Sequence, residues 1–322
     1  MFSGSRIGFG GFKRQALLGS AFVAVFWIAG VTVHAQAKLR AVAHDRDVET
    51  AFVWEEPPQW DGERLLGYVN NHTNGPVIYA IDRDGRRDEM LFTFQDAGRI
   101  NLYGIAGSRD GEVAVIGSAF TADSRGTSFF ARISPDRKRQ IVTRVWPYCP
   151  GAVTLAADGT LWTIGLLKDD ENTRVLERYV LRRFDRSGKL ITSTTLSVKG
   201  REQVPMSHLR ASLDRVGWFT LSNEYLEFSL DGSEVGRYDG PDGATERDIT
   251  GIALGDRDDI VIGWFGKGKA QFVTLDRETR AWKPLQLPKE KYATTWARPL
   301  GFDGTTLVTT STNGTLRRFK PE

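Results

Sequence analysis

The feature that most limits what this chain can become is a turn that returns six times. Asp and Gly, or close variants of the pair, stand at Trp60-Asp61-Gly62, Arg109-Asp110-Gly111, Ala157-Asp158-Gly159, Asp214-Arg215, Asp256-Arg257-Asp258 and Phe302-Asp303-Gly304. Each turn is followed by about seven residues of strand character: ERLLGYV from Glu63, EVAVIGS from Glu112, TLWTIGL from Thr160, VGWFTLS from Val216, DIVIGWF from Asp259 and TTLVTTS from Thr305. These runs are dense in the β-branched and aromatic residues that pack well on a pleated surface.

A second series keeps the same phase. PVIYAIDRDG, SFFARISPD, YVLRRFDRSG, LEFSLDG, QFVTLDRET and TLRRFKPE read as third strands, and all but the last end in an Asp-bearing turn. More polar fourth strands follow, such as EMLFTF, RQIVTRV, KLITSTTL and RAWKPLQL. The second strands start 49, 48, 56, 43 and 46 residues apart, close to the roughly 40–50-residue period of four-stranded propeller blades. No stretch after residue 37 holds a helical period over a dozen residues. The expected fold is all-β, a six-bladed β-propeller. Its last unit has no fourth strand of its own, and an open sheet edge is a liability. The segment DVETAFVW, Asp47 to Trp54, is predicted to complete the last blade from the N-terminal side.

The N-terminus reads as a targeting segment. Arg6, Lys13 and Arg14 precede an apolar run from Ala16 to Val33, and Ala35-Gln36-Ala37 then supplies small residues where a signal peptidase reads them. The expected division is a signal peptide over 1–37 and a propeller over 38–322, with the mature protein periplasmic or secreted. The run is also nearly long enough for an uncleaved anchor; its dilution by Gly19, Ser20, Gly30 and Thr32 and the Ala-x-Ala that follows favour cleavage. The segment holds three basic and no acidic residues, so removing it leaves forty of each. A balanced surface does not condense on a polyanion, which argues against nucleic acid as a partner, and nothing after cleavage calls for a membrane. Cys149 is the only cysteine, so no intrachain disulfide can form, and it reads as a small buried apolar residue.

The repeat phase also nominates a functional face. First strands line a propeller's channel, and their starting ends fall near Glu56, Asn101, Tyr148, His208, Arg247 and Trp296. The loops of the same face carry Asn70, Asn71, His72, the stretch from Lys168 to Arg178, Asn223, Lys267 and Asn313. This mixed polar and aromatic rim suits a small polar ligand, a peptide or a protein partner. No H-E-x-x-H, G-x-S-x-G, P-loop or paired cysteine is present.

The rhythm resembles that of the six-bladed NHL and SMP-30/gluconolactonase propellers, over essentially all of 38–322. Glu56-Pro57-Pro58-Gln59-Trp60-Asp61 is also similar to the E-G-P-x-W segment that opens the first blade of SMP-30-like lactonases. That resemblance implies a divalent cation, Ca2+ or similar, held by Glu56. Pro57 departs from the pattern, and the family's later Asn-Gly and Asp-Ser ligand segments have no counterpart. A hard cation needs several converging oxygens. The expectation is therefore an exported, non-catalytic ligand- or partner-binding propeller without a cofactor, the alternative being a metal-dependent lactonase-type hydrolase.

Overall fold

The computed structural model describes residues 40–322 apart from 51–57, 71–73, 122–125, 173, 200–207, 221, 243, 245–248, 257–258, 267–268, 289–296, 312–313 and 322. The apolar run of the N-terminus lies outside these residues, and among the described residues no helix is long and apolar enough to cross a membrane. Every regular element described is a strand.

Five four-stranded units follow one another. Blade 1 is β2 (Gln59–Trp60), β3 (Leu65–Val69), β4 (Val77–Ile81) and β5 (Arg87–Leu91). Blade 2 is β6 (Arg99–Gly107), β7 (Val113–Phe120), β8 (Gly126–Ile133) and β9 (Gln140–Arg144). Blade 3 is β10 (Tyr148–Leu155), β11 (Leu161–Lys168), β12 (Val175–Phe184) and β13 (Leu190–Thr195). Blade 4 is β14 (Leu209–Ala211), β15 (Arg215–Phe219), β16 (Glu224–Ser229) and β17 (Glu234–Asp239), and blade 5 is β18 (Ile249–Leu254), β19 (Ile260–Gly266), β20 (Lys269–Asp276) and β21 (Ala281–Gln286). Neighbouring strands in each blade run antiparallel. The turns read from the sequence join first to second strands, and Gly62, Gly111 and Gly159 sit there at φ +106°, +92° and +80°, a region open to glycine and strained for other residues.

Blade 6 is β22 (Ala297–Asp303), β23 (Thr306–Ser311) and β24 (Leu316–Pro321), and its fourth strand is β1 (Arg40–Val48). β1 runs antiparallel to β24, with Val42 opposite Pro321 and Val48 opposite Leu316. The N-terminal segment thus closes the last blade, as its missing edge strand demanded. The strand begins earlier than Asp47, and residues 51–54 of the predicted stretch lie outside those described. The reason is physical: an outer strand shows one side to water, so the polar RAVAHDRDV suits the place better than the apolar AFVW. At its start β1 also pairs in parallel with β21, Arg40 beside Leu285 and Ala41 beside Gln286, so blades 5 and 6 share one eight-stranded sheet.

The core lies between the blades. Alternate residues of a strand face opposite sides, and β7 shows the consequence: Val113 and Val115 join the cluster shared with blade 1, while Ala114 and Ile116 join the one shared with blade 3. Six such clusters fill the six boundaries, the last joining Trp60, Leu65 and Ile81 of blade 1 to Leu300, Val308 and Leu316 of blade 6. The ring is therefore closed.

Arginines reinforce five boundaries among the described residues. Arg64 donates to the Gly111 carbonyl of blade 2, and Arg183 reaches the Asp231 carbonyl of blade 4. Arg277 of blade 5 pairs with Glu227 of blade 4, and Arg83 of blade 1 with Asp303 of blade 6. The most buried is Arg132, 2% exposed, which grips both Glu112 carboxylate oxygens at 2.6 and 2.8 Å and reaches into blade 3, to the carbonyls of Gly159 at 2.9 Å and Asp185 at 3.1 Å. Between blades 5 and 6 the pairing of β1 with β21 joins the sheets directly.

Candidate binding site

The first turns can be set in register by the hydrogen bond that opens each. Asp61, Ser108, Ala156, Ser212 and Gly255 donate their N–H to Arg64, Glu112, Thr160, Arg215 and Asp259, and Asp303 faces Thr306 in the same way. One residue earlier stand Trp60, Gly107, Leu155, Ala211, Leu254 and Phe302, and all six line an axial cavity of about 300 Å3. Two residues earlier come Gln59, Ala106, Thr154, Arg210, Ala253 and Gly301, of which Gln59, Thr154, Arg210 and Gly301 also line it. Beyond the turn-opening residues, Gly62, Arg109, Ala157, Leu213 and Asp256 form the rim. The cavity is thus a stack of rings contributed by all the blades: a polar floor, an apolar collar and a charged rim.

The charges of the rim and walls are matched. Asp61, buried, accepts from Arg64 Nε at 2.9 Å and from the Glu63 and Arg64 amides. Glu112 belongs to Arg132. The Ser108 hydroxyl, and behind it the Arg186 charge, holds the Asp110 carboxyl below its ordinary pKa. Arg109 of blade 2 meets Asp256 of blade 5 at 2.5 Å, two blades that stand opposite in a ring of six, so this ion pair straps the mouth across its diameter.

The floor is not matched. Arg210 is 7% exposed and donates one Nη1–H to the carbonyl of its neighbour Leu209 at 2.9 Å. Its Nε–H is buried and has no hydrogen-bond partner among the described residues. Burial, with the charge of Arg298 added, pushes its pKa down to about 10. His208, at φ +66°, is part-buried just ahead of β14. Burial, then the charges of Arg210 and Arg298, pushes it down to about 3, so it is neutral at ordinary pH.

The rim expected at the starting ends of the first strands is placed as follows. Tyr148 lies in the core between blades 2 and 3 rather than on the channel face, its hydroxyl bonded to Thr163 at 2.9 Å and donating to the Val180 carbonyl at 3.0 Å, and burial drives its pKa up. The cause is a β-bulge between Pro150 and Ala152, which shifts the alternation of the strand upstream of it. β6 has the same irregularity between Leu102 and Gly104, and the glycines opposite make room for it: a Cβ at Gly117 or Gly165 would stand 2.2 Å from the Asn101 carbonyl or 2.3 Å from that of Cys149. Asn101 has a buried Oδ1 without a partner among the described residues. Asn70 ties blade 1 to blade 2 through both backbone groups of Leu102, at 2.8 and 3.1 Å. Cys149 is partly buried and receives a hydrogen bond from Ser128 at 3.4 Å. Glu56, Arg247 and Trp296, with Asn71, His72, Lys267 and Asn313, lie outside the described residues. The cavity itself opens at the other end of the channel, on the first-turn face. Its signal in the sequence is the repeat position of Arg210, where other blades place Ala, Gly, Thr or Gln.

Fold and cavity together define a class: a closed six-bladed β-propeller with a ligand-sized pocket on its axis. No family model matches the chain, and no curated protein does. Among solved structures it is similar to BamB from Moraxella catarrhalis, at 15% identity over 82% of this chain and 69% of that one, with a TM-score of 0.40. A protein of unknown function from Bacteroides caccae aligns at 12% identity over 83% and 94%, with a TM-score of 0.48, and BBS1N, solved in complex with ARL6DN, at 11% over 83% and 79%, with a TM-score of 0.45.

Proposed function

We propose that this chain is an exported, non-catalytic binding protein that takes a small ligand in the axial cavity of its first-turn face. The observation that carries the reading is the construction of that cavity. Its volume of about 300 Å3 falls at the lower end of the roughly 300–1000 Å3 of small-molecule sites, and an apolar collar with few polar groups is their usual lining. Its carboxylates at Asp61, Glu112 and Asp256 are each held by an arginine, which suits a wall that orients a ligand better than one that exchanges protons with it. Export rests on the charged start, apolar run and Ala-x-Ala of residues 1–37.

The test is a thermal-shift screen of small organic compounds against wild type and Ala157→Trp. Ala157 lies exposed on the rim, so the indole plugs the mouth without entering the core. Compounds that raise the melting temperature of wild type should lose that effect in the variant and be recovered chemically unchanged. Hits indifferent to the plug would place the ligand elsewhere.

A further inference from the structure

The floor of the cavity narrows the ligand class. A guanidinium carries five N–H donors in a fixed fork, and a buried cation left without a counter-charge is costly. The chain's other strongly buried arginines obey that rule: Arg132 holds Glu112, and Arg317, 8% exposed, lies 3.7 Å from Asp47. Arg210 does not. Among the described residues no carboxylate lies within ion-pair distance of it, the charge that acts on it is the like charge of Arg298, and His208, on which its own charge acts, is neutral. The carboxylates that line the cavity are engaged elsewhere, Asp61 by Arg64, Glu112 by Arg132, Asp256 by Arg109 and Asp110 by Ser108 and Arg186. Among the described residues that line the cavity, the charge left without a facing carboxylate is that of Arg210, at the floor.

We propose that the axial cavity binds an organic monocarboxylate, whose carboxylate pairs with Arg210 at the floor and whose apolar body fills the collar of Trp60, Leu155, Leu254 and Phe302. This rests on the reading of the cavity as a ligand site. A planar carboxylate matches a guanidinium fork through two parallel hydrogen bonds. The collar supplies aromatic and aliphatic surface for the rest of the molecule, and the polar neighbours at the floor, Gln59 and Thr154, are neutral. Among the described residues Arg210 is the one cation that lines the floor, with Arg298 outside the lining, and a single guanidinium fork suits a single carboxylate, whereas a phosphate dianion calls for more donors than the floor presents.

The experiment is calorimetric titration of acetate, benzoate, octanoate and indole-3-acetate into the mature protein, with benzamide and inorganic phosphate as controls, repeated in Arg210→Gln, Arg210→Lys and Ala157→Trp. At least one carboxylate larger than acetate should bind, at least tenfold tighter than benzamide or phosphate. That affinity should fall at least tenfold in Arg210→Gln, recover in part in Arg210→Lys and vanish in Ala157→Trp. Melting without ligand gives a second reading: removal of an unpaired buried cation should leave Arg210→Gln at least as stable as wild type, and a binding carboxylate should stabilise wild type alone. Binding by carboxylate and amide alike, blocked by Ala157→Trp but untouched by Arg210→Gln, would overturn the carboxylate and leave the cavity a ligand site. Silence of all four carboxylates in wild type would also overturn it. Binding of every compound unaffected by Ala157→Trp would remove the cavity reading as well.

Discussion

Replacing Arg132 by methionine should be among the most damaging single changes available in this ring. The side chain is 2% exposed, and its loss would strand the Glu112 carboxylate, 17% exposed, together with the carbonyls of Gly159 and Asp185 in blade 3. Breaking a buried ion pair from one side costs about 3–5 kcal/mol, because the surviving charge is left desolvated. That is a large share of the roughly 5–15 kcal/mol that holds a domain folded. With an unfolding entropy of about 2.1 cal/mol/K per residue, a propeller of this length should melt roughly 5–8 °C earlier. Adding Glu112→Gln removes the stranded charge, so the double variant should regain at least ~1.5 kcal/mol over the sum of the two single changes, a coupling typical of residues in direct contact. Urea unfolding of the wild type and the three variants, with equal m-values as the check on two-state behaviour, measures the cycle. A loss below ~1 kcal/mol for Arg132→Met, or strict additivity in the double variant, would refute the claim that this pair clamps blade 2 to blade 3.

Two further outcomes follow from the structure. Deleting the chain through Val48 uncovers the edge of β24 and takes Val42 from the cluster of blades 5 and 6, so the truncated protein should aggregate or melt early by light scattering and calorimetry; an unchanged melting temperature would mean that β1 does not close the ring. His208 has a folded pKa of about 3 against an ordinary 6.5, so between those values only the unfolded chain takes its proton. Stability should therefore be whole above pH 6.5 and fall as the pH drops through that window, with a His208 contribution of up to ~1.4 kcal/mol per pH unit, and His208→Gln should flatten the slope between pH 6.5 and 5; an equal slope in the variant would show that the imidazole charges in the folded state.

The architecture was legible because the turn chemistry is local. Asp61-Gly62, Asp110-Gly111 and Asp158-Gly159 announce themselves within a few residues, and their spacing sets the blade count. The upstream halves of the first strands were less legible. Phase counted back from a turn assumes strict alternation, and the bulges between Leu102 and Gly104 and between Pro150 and Ala152 break it by one residue, enough to turn Tyr148 into the core. In the sequence the apolar AFVW looks more strand-like than the polar RAVAHDRDV, whereas an outer position rewards polarity, so the closing strand begins earlier than its apolar signal. The cavity was missed for another reason. Its rim is made of the turns that identify the fold, and in the sequence those residues read as punctuation, not as a surface. Arg210 stood out only once the six units were set in register, where a long cation replaces Ala106, Ala253 or Gly301.

The strand that completes blade 6 decides where the ring is cut. Val42 lies beside Pro321, so the two ends of the described chain meet within one sheet, and opening the circle there means parting a ladder of backbone hydrogen bonds as well as a packed face. A circular permutant that bridges this junction with a short linker and begins instead at the exposed stretch around Asp96, between blades 1 and 2, would move the cut to a boundary held by side chains alone. It would keep every blade, every cluster and the axial pocket, yet its first and last blades could separate like the ends of a split washer. The natural order of the strands denies the circle that freedom.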